Sequence, residues 1–233
     1  MFVVDAHRSP STPGLSFRRL KAGPEQDLLD WFLERDLVRV PRGHNVTVFR
    51  EPRLPSGFPD LVIVIWKDSV ARQWNSGRAA LTPSDLRLMH FLGNEGSKST
   101  EQLRVFFSAA VERQLERLAE AAMVRSVYGC WQARSLNATF AASHIIAVEA
   151  KISEWRAALD QAHLNTWFAS ESCVLVPRVP RDSGLLREAG ELGVRVLAKE
   201  SDCWDIQDRS RSKPRSYVSW LFNDWAWRAA FAQ

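Results

Sequence analysis

The 233-residue chain is poor in cysteine and has no long hydrophobic run. Its three cysteines lie far apart and form no CxxC pair, which argues against a structural zinc site and against a disulfide scaffold. No apolar stretch approaches the ~18 residues that a membrane span needs, and the first residues lack the apolar segment of a signal peptide. We therefore expect a cytoplasmic protein with reduced cysteines and no membrane anchor.

The composition that remains is typical of a globular protein. Hydrophobic residues make up 45% of the chain and charged residues 25%, which excludes a disordered or collagen-like chain. The length fits one large domain or one and a half. The net charge of +4 is compatible with a nucleic-acid partner but does not identify one.

The first 80 residues combine a basic segment with one helix and two strands. Residues 1–24 hold Pro, Ser and Gly with four cationic residues and a single acid, so they are interpreted as a loosely structured basic arm. Apolar residues at helical spacing predict a helix over 25–36. Alternating residues from His44 onward predict a strand, and the β-branched run over 60–66 predicts a buried strand.

A similar alternation of strands and helices resumes after residue 143. Polar caps and apolar runs mark the boundaries of each element. The pattern predicts a strand over 144–152, a helix from the cap Ser153 to about 169, a strand over 173–176, a helix over 184–192, a strand over 194–198 and an aromatic helix over 217–232. The aromatic helix is expected to dock on the core or on a second subunit, because aromatic residues at helical spacing are usually buried. A surface on which nucleotides stack also stays open for this segment.

Two short motifs place charged residues at strand ends. Pro59-Asp60 opens the buried strand, and Glu149-Ala150-Lys151 lies near the end of the later strand. Residues two apart on a strand share a face, so Glu149 and Lys151 are expected on the same side. If the two strands pair antiparallel, two carboxylates and one lysine meet at one edge of the sheet.

This set of groups suits metal-dependent phosphate chemistry. Two carboxylates and a backbone carbonyl are the oxygen ligands that Mg²⁺ prefers, with water and phosphate oxygens completing the shell. A lysine beside them can orient or deprotonate a water and offset the charge that develops on phosphorus.

The motifs resemble those of the PD-(D/E)XK nuclease superfamily. The resemblance implies an α/β protein, with a restriction-endonuclease-like mixed sheet core flanked by helices, and a Mg²⁺-dependent (or Mn²⁺-dependent) endodeoxyribonuclease activity. It implies that Asp60, Glu149 and the carbonyl of Ala150 bind the metal, and that Lys151 activates or positions the nucleophilic water.

The same resemblance implies two further residues at the catalytic site. The family often carries an acid on the first helix, which Glu25 matches, and a glutamine on the helix after the second motif, which Gln161 matches. Some subfamilies have a tyrosine four residues later, where this chain has Asn165.

The stretch between the two motifs is far longer than a hairpin requires, and its pattern is three helices followed by a hairpin. This order resembles a winged helix-turn-helix, inserted over 81–136 between core segments 1–80 and 137–233 and expected to be separable from them. Candidate DNA-binding residues on its third helix and wing are Arg113, Gln114, Arg117, Arg125 and Arg134.

The charge of the insert leaves its partner open. Residues 81–135 hold seven basic and six acidic residues, and the third helix carries an acidic row at Glu112, Glu116 and Glu120. The row would repel phosphates, so recognition of DNA and recognition of a protein both stay open.

Two other functions stay open for the whole chain. One is a non-catalytic module that binds DNA or protein on a nuclease scaffold, and the other is a nuclease of the same fold that acts on RNA. A homodimer, formed through the insert or the aromatic helix, also stays open.

Overall fold

The computed structural model describes residues 1–6, 12–35, 40–107, 110–179, 184–200 and 213–231. The strands in these ranges are β1 (Phe2–Val4), β2 (His44–Arg50), β3 (Leu61–Lys67), β4 (Lys98–Ser99), β5 (Val124–Val127), β6 (Cys130–Ala133), β7 (Ala142–Ala150), β8 (Glu171–Val176) and β9 (Arg195–Ala198). The helices are α1 (Pro24–Glu34), α2 (Asp68–Ala71), α3 (Pro83–Glu95), α4 (Thr100–Phe107), α5 (Val111–Glu120), α6 (Leu136–Thr139), α7 (Trp155–Asn165), α8 (Leu185–Glu191) and α9 (Tyr217–Phe231).

The main sheet is mixed, as the sequence predicted, and helices flank it. Its strand order is β1-β2-β3-β7-β8-β9. Strands β2, β3 and β7 are successively antiparallel, whereas β7, β8 and β9 are parallel. The parallel pairs need crossovers, which α7 and α8 provide. Within the described ranges, no helix is both long and apolar enough to cross a membrane.

The N-terminal segment is more ordered than the sequence suggested. Strand β1 pairs parallel with β2, and the ring of Phe2 stacks on that of Trp66 at 6.4 Å. Further along, the backbone N–H of Arg18 donates to the carbonyl of Glu51 at 3.0 Å. The expectation of a loosely structured arm over 1–24 is therefore wrong for these two stretches, because apolar strand-forming residues anchor the first and backbone hydrogen bonds the second. Residues 7–11 lie outside the described ranges.

Helix α7 begins later than its predicted cap. The chain leaves the sheet at Lys151, whose N–H bonds to the carbonyl of Leu175, and Ser153 then lies exposed in a turn. Glu154, in the left-handed conformation at φ 54°, precedes the helix without a side-chain cap. The prediction of Ser153 as the N-cap is wrong, because the turn out of β7 uses the residues that a helix start would need.

The two faces of the sheet are covered by different helices. Side chains alternate along β3 and β7, so Ile63 and Val148 pack against α1, whereas Val64 and Ala147 pack toward α9. The second face leads into a larger apolar cluster that includes the aromatic residues of α9: Trp220, Phe222, Trp225 and Trp227. The prediction that the aromatic helix docks on the core is therefore confirmed.

Residues 82–135 fold as three helices and a three-stranded sheet of order β4-β6-β5. Leu86, Leu103 and Leu118 from this segment lie in the same continuous apolar cluster as Val62 and Trp220. Helix α3 packs directly on α9. The segment is thus inserted in the sequence between β3 and β7 but shares its hydrophobic core with the rest of the chain.

A buried charged cluster joins α9 to the segment that follows β3. Arg78 and Asp224 are both 0% exposed, and Arg78 Nη1 lies 3.5 Å from Asp224 Oδ1. A 3-10 helix spans Ser76–Ala80. Arg228 donates to the carbonyls of Arg78, Ala79 and Leu81 at 2.8–2.9 Å. Burial lowers the pKa of Arg78 to about 10, so this side chain stays charged at neutral pH. One buried carboxylate therefore faces two buried guanidinium groups.

We expect Asp224→Ala to destabilise the fold by about 3–5 kcal/mol, since it removes buried side-chain atoms and leaves two buried guanidinium groups without the carboxylate that they face. Urea unfolding monitored by circular dichroism measures the loss. The matched control is Asp160→Ala, at an exposed position of α7, which should change the free energy of unfolding by less than about 0.5 kcal/mol. Equal effects of the two substitutions would contradict a structural role of the buried cluster.

Candidate active site

The two motif carboxylates lie at one edge of the sheet. Strands β3 and β7 pair antiparallel with Leu61 opposite Val148, so the start of β3 meets the end of β7. The backbone N–H of Ala150 donates to Asp60 Oδ2 at 2.7 Å. The predicted meeting of Asp60 with the Glu149 end of β7 is thereby confirmed.

Lys151 and Glu25 form an ion pair beside these acids. The Nζ atom of Lys151 lies 3.0 and 3.1 Å from the two carboxylate oxygens of Glu25, in the first turn of α1. Burial lowers the pKa of Lys151, but Glu25 and the charges of Asp60 and Glu149 outweigh burial, so its pKa is raised overall. Lys151 is therefore an ammonium group at neutral pH.

Glu149 is the most buried acid of the site, with 3% of its surface exposed. The amide of Asn165 donates to Glu149 Oε1 at 2.7 Å. Burial raises the pKa of Glu149 well above its ordinary value, and the charge of Asp60 adds to this effect. The hydrogen bond from Asn165 favours the ionised form, but it only partly offsets the burial.

Gln161 is exposed on α7, and no hydrogen bond between described residues joins it to Asp60, Glu149 or Lys151. The amide that contacts the site belongs to Asn165, one helical turn later. The face of α7 that packs on the sheet includes Ala158 and Ala162 and continues through Asn165. A role of Gln161 at the site stays a prediction.

Glu51 and Arg18 belong to the site, although the sequence reasoning did not identify them. Glu51 is 8% exposed, its N–H donates to the carbonyl of Asp60 at 3.0 Å, and Arg18 Nη2 lies 2.5 Å from Glu51 Oε2 and 3.9 Å from Asp60 Oδ1. Burial and the charge of Asp60 raise the pKa of Glu51. Strands β2 and β3 pair with Arg50 opposite Leu61, and this register places Glu51 beside Asp60.

Glu51 also has an unusual backbone conformation. Its φ of 54° lies in the left-handed region, which costs a residue with a β-carbon roughly 1–2 kcal/mol. Backbone hydrogen bonds on both sides, to Asp60 and from Arg18, hold it there. Such strained residues occur frequently at functional sites.

The oxygen donors at this edge fit a Mg²⁺ ion. Burial raises the pKa of Asp60, as it does that of Glu149, and the charge of Asp60 raises the pKa of Glu149 further, so a divalent cation would relieve this repulsion. Among the described residues, no group of three or more His, Cys, Asp and Glu side chains is gathered as a metal site. Mg²⁺ does not require one, since it commonly keeps several waters and uses one or two carboxylates.

The candidate DNA-binding residues of the inserted segment divide into two groups. Arg113, Arg125 and Arg134 are exposed. Gln114 is 5% exposed, and Arg117 forms hydrogen bonds of 2.9 and 2.6 Å to the carboxylate of Asp85 on α3. The prediction that Gln114 contacts DNA is wrong, because its side chain is buried, whereas Arg117 is half-exposed and its contact with DNA stays a prediction. Gln114 follows Val111 by three residues and so falls on the buried face of α5, and Arg117 bridges two helices.

We expect Glu149→Gln to raise the melting temperature at pH 8 by a few degrees. The raised pKa means that the folded state favours the protonated carboxyl, so ionisation at neutral pH costs stability. A cost on the order of 1 kcal/mol corresponds to about 2–4 °C in a chain of this size. The glutamine oxygen can still accept the hydrogen bond from Asn165.

The gain should shrink as the pH falls toward 4.5, the ordinary value for glutamate, because the wild-type carboxyl is then protonated as well. Differential scanning fluorimetry between pH 4.5 and pH 8 measures this trend. The control Glu34→Gln, at an exposed position of α1, should show no such pH dependence. A lower melting temperature of Glu149→Gln at pH 8 would contradict the unfavourable ionisation of Glu149.

Comparison with models of known protein families finds no match to this chain, and neither curated proteins nor solved structures match it. The chemistry of the cluster at the joined ends of β3 and β7 is therefore the basis for assigning a function. That cluster contains four carboxylates, one ammonium group and one guanidinium group: Glu25, Glu51, Asp60, Glu149, Lys151 and Arg18.

Proposed function

We propose that this protein is a Mg²⁺-dependent DNA nuclease, with Mn²⁺ as an alternative metal, that hydrolyses phosphodiester bonds at the Asp60–Glu149 edge. The observation that carries the proposal is the convergence of Asp60 and Glu149, two carboxylates whose ionisation burial disfavours, with the ammonium group of Lys151. A purely structural cluster would gain nothing from adjacent acids whose ionisation is unfavourable. A metal ion would bind to the carboxylates, and a phosphate would bind to the ammonium group.

The arrangement of elements supports the same proposal. The order α1, β2, β3, β7, α7 and β8 is the one that the resemblance to the PD-(D/E)XK superfamily implies, and we propose a restriction-endonuclease-like core on that basis. The three helices and the hairpin of residues 82–135, with β4 as a third strand, likewise support a winged helix.

In this proposal, Asp60, Glu149 and the carbonyl of Ala150 would hold the metal. When bound, Mg²⁺ lowers the pKa of a coordinated water and offsets negative charge on the phosphate. Asn165 orients Glu149 through its hydrogen bond. The backbone N–H of Ala150 fixes one oxygen of Asp60, leaving its second oxygen available on the side of Arg18.

Lys151 would act through its positive charge. Its raised pKa keeps the amine protonated, so it donates hydrogen bonds to the attacking water or to a phosphate oxygen rather than removing a proton. Glu25 holds the ammonium group in place through both of its carboxylate oxygens. Glu25 is therefore a positioning residue.

The inserted segment would recognise DNA or a protein partner. Arg113, Arg125 and Arg134 are available to phosphates. The acidic residues of α5 repel phosphates and so oppose DNA contact by that helix, although Arg104 neutralises Glu112. The wing is therefore the better candidate for DNA contact than α5.

Asp60→Ala and Glu149→Ala should each abolish cleavage and weaken Mg²⁺ binding while the protein stays folded. The test incubates wild-type and variant proteins with linear, circular, branched and single-stranded DNA, and with RNA, in Mg²⁺ or Mn²⁺. Glu34→Ala, which removes an exposed acid from α1, is the control and should cleave normally. Cleavage of RNA alone would identify an RNA nuclease, and no cleavage of any substrate by the wild type would favour a non-catalytic binding module.

Lys151→Ala should reduce turnover by about 10²–10³-fold, the usual effect of removing one group that stabilises charge in the transition state. Its Mg²⁺ affinity should not weaken, because the ammonium group is not a metal ligand. Lys67→Ala, at the opposite end of β3, is the matched control. Near-normal turnover in Lys151→Ala would remove the lysine from the reaction.

A further inference from the structure

Aromatic rings and arginines line the surface that leads away from the acids. The guanidinium of Arg18, 3.9 Å from Asp60, lies over the ring of Phe58 at 5.3 Å. The indole N–H of Trp167 donates to the hydroxyl of Ser56, in the turn that precedes Asp60, at 3.2 Å. These contacts connect the catalytic edge to the end of α7.

The same run of contacts continues to α3. The rings of Trp167 and Tyr217 meet edge to face with centroids 6.0 Å apart. Arg87 of α3 lies over the Tyr217 ring at 4.5 Å and donates to its hydroxyl at 3.1 Å. Arg87 is exposed, and Trp167 and Tyr217 are half-buried. We call these five residues the aromatic–arginine surface: Arg18, Phe58, Trp167, Tyr217 and Arg87.

A cavity of about 540 Å³ lies beyond Arg87 along α3. His90 and Asn94, which follow Arg87 at helical spacing, line it together with Arg134 and Lys213, and no acid is among its lining residues. Trp220 also lines the cavity, and its buried indole N–H has no hydrogen-bond partner. The volume lies within the range of about 300–1,000 Å³ that is usual for small-molecule sites.

We propose that the aromatic–arginine surface binds a single-stranded stretch of polynucleotide and leads it to Asp60 and Glu149, with the cavity receiving an unpaired nucleotide. Arginines pair with phosphates, whereas aromatic rings are useful only to bases that are not stacked in a duplex. A surface with aromatic rings between two arginines therefore favours a single strand. The inference rests on the proposed nuclease function and adds the form of its substrate.

The test measures binding without cleavage, in EDTA, by fluorescence anisotropy. The probes are a labelled single-stranded DNA, the RNA of the same sequence and the blunt DNA duplex of the same length. The wild type should bind the single strands at least about 10-fold more tightly than the duplex, because the duplex offers no free base to the rings. Comparison of the DNA and RNA probes shows which of the two polynucleotides the surface binds more tightly.

The variants separate stacking from charge. Trp167→Ala should weaken single-strand binding by roughly 5- to 150-fold, the value of one stacked base, and leave the salt dependence unchanged. Arg87→Ala should reduce the slope of log affinity against log salt by about 0.7, the value of one phosphate contact to a single strand. Arg87 is exposed, so its variant stays folded and keeps the test decisive if Trp167→Ala does not fold.

Arg72 supplies the matched control. It lies over the ring of Phe231 at 5.6 Å, in an exposed arginine–aromatic pair beyond the opposite end of β3. Arg72→Ala should change neither the affinity nor the salt slope. Equal effects of Arg72→Ala and Arg87→Ala, or equal affinity for duplex and single strand, would overturn the proposal.

The outcomes distinguish this inference from the nuclease proposal itself. Selective single-strand binding that depends on Trp167 and Arg87, without cleavage in Mg²⁺ or Mn²⁺, would support the surface and reject the nuclease. Metal-dependent cleavage that requires Asp60 but is unaffected by Trp167→Ala and Arg87→Ala would support the nuclease and reject the surface.

Discussion

The antiparallel pairing of β3 with β7 is the constraint on which the candidate site depends. Its register, with Leu61 opposite Val148, places the start of one strand against the end of the other. The hydrogen bond from Ala150 N–H to Asp60 then joins the backbone of one motif to the side chain of the other. A shift of one residue in this register would turn Glu149 to the opposite face and separate it from Asn165. The arrangement of the candidate site is thus a consequence of ordinary sheet pairing between two apolar strands.

The joined ends of β3 and β7 carry more negative charge than the two cationic side chains beside them can neutralise. At the two flanks of the cluster, Lys151 pairs with Glu25, and Arg18 pairs with Glu51 and lies 3.9 Å from Asp60. The acids between them, Asp60 and Glu149, receive neutral hydrogen bonds from Ala150 and Asn165, and burial raises the pKa of both. The buried Arg78–Asp224–Arg228 cluster differs from this edge, because there opposite charges face each other and backbone carbonyls accept most of the guanidinium hydrogen bonds. The first arrangement suits a bound cation, and the second holds helices together.

Helix α9 connects the main sheet to the inserted segment. Its aromatic residues extend the core from the sheet to α3, and its first residue, Tyr217, bridges Trp167 and Arg87. Because the insert shares this core, its orientation toward the acids is determined by packing and not only by its two chain connections. A surface that runs from Asp60 to the insert can therefore present a fixed spacing to an extended ligand.

The sequence by itself predicted most of the strands and helices of the main sheet, because apolar periodicity is a local signal. It placed Asp60 and Glu149 at strand ends that meet if the strands pair antiparallel, whereas the mixed sheet was expected from the resemblance to the nuclease superfamily. It also singled out Lys151 and Glu25, which the structure joins in one ion pair. Only the tertiary structure decided that Asn165 rather than Gln161 contacts Glu149, since that depends on the rotation of α7 about its axis. Glu51 and Arg18 likewise become site residues only through pairing between distant segments, and Arg117 is held by an ion pair to Asp85, a residue of another helix. Contacts of this kind are set by packing across the fold, which no short window of the chain contains.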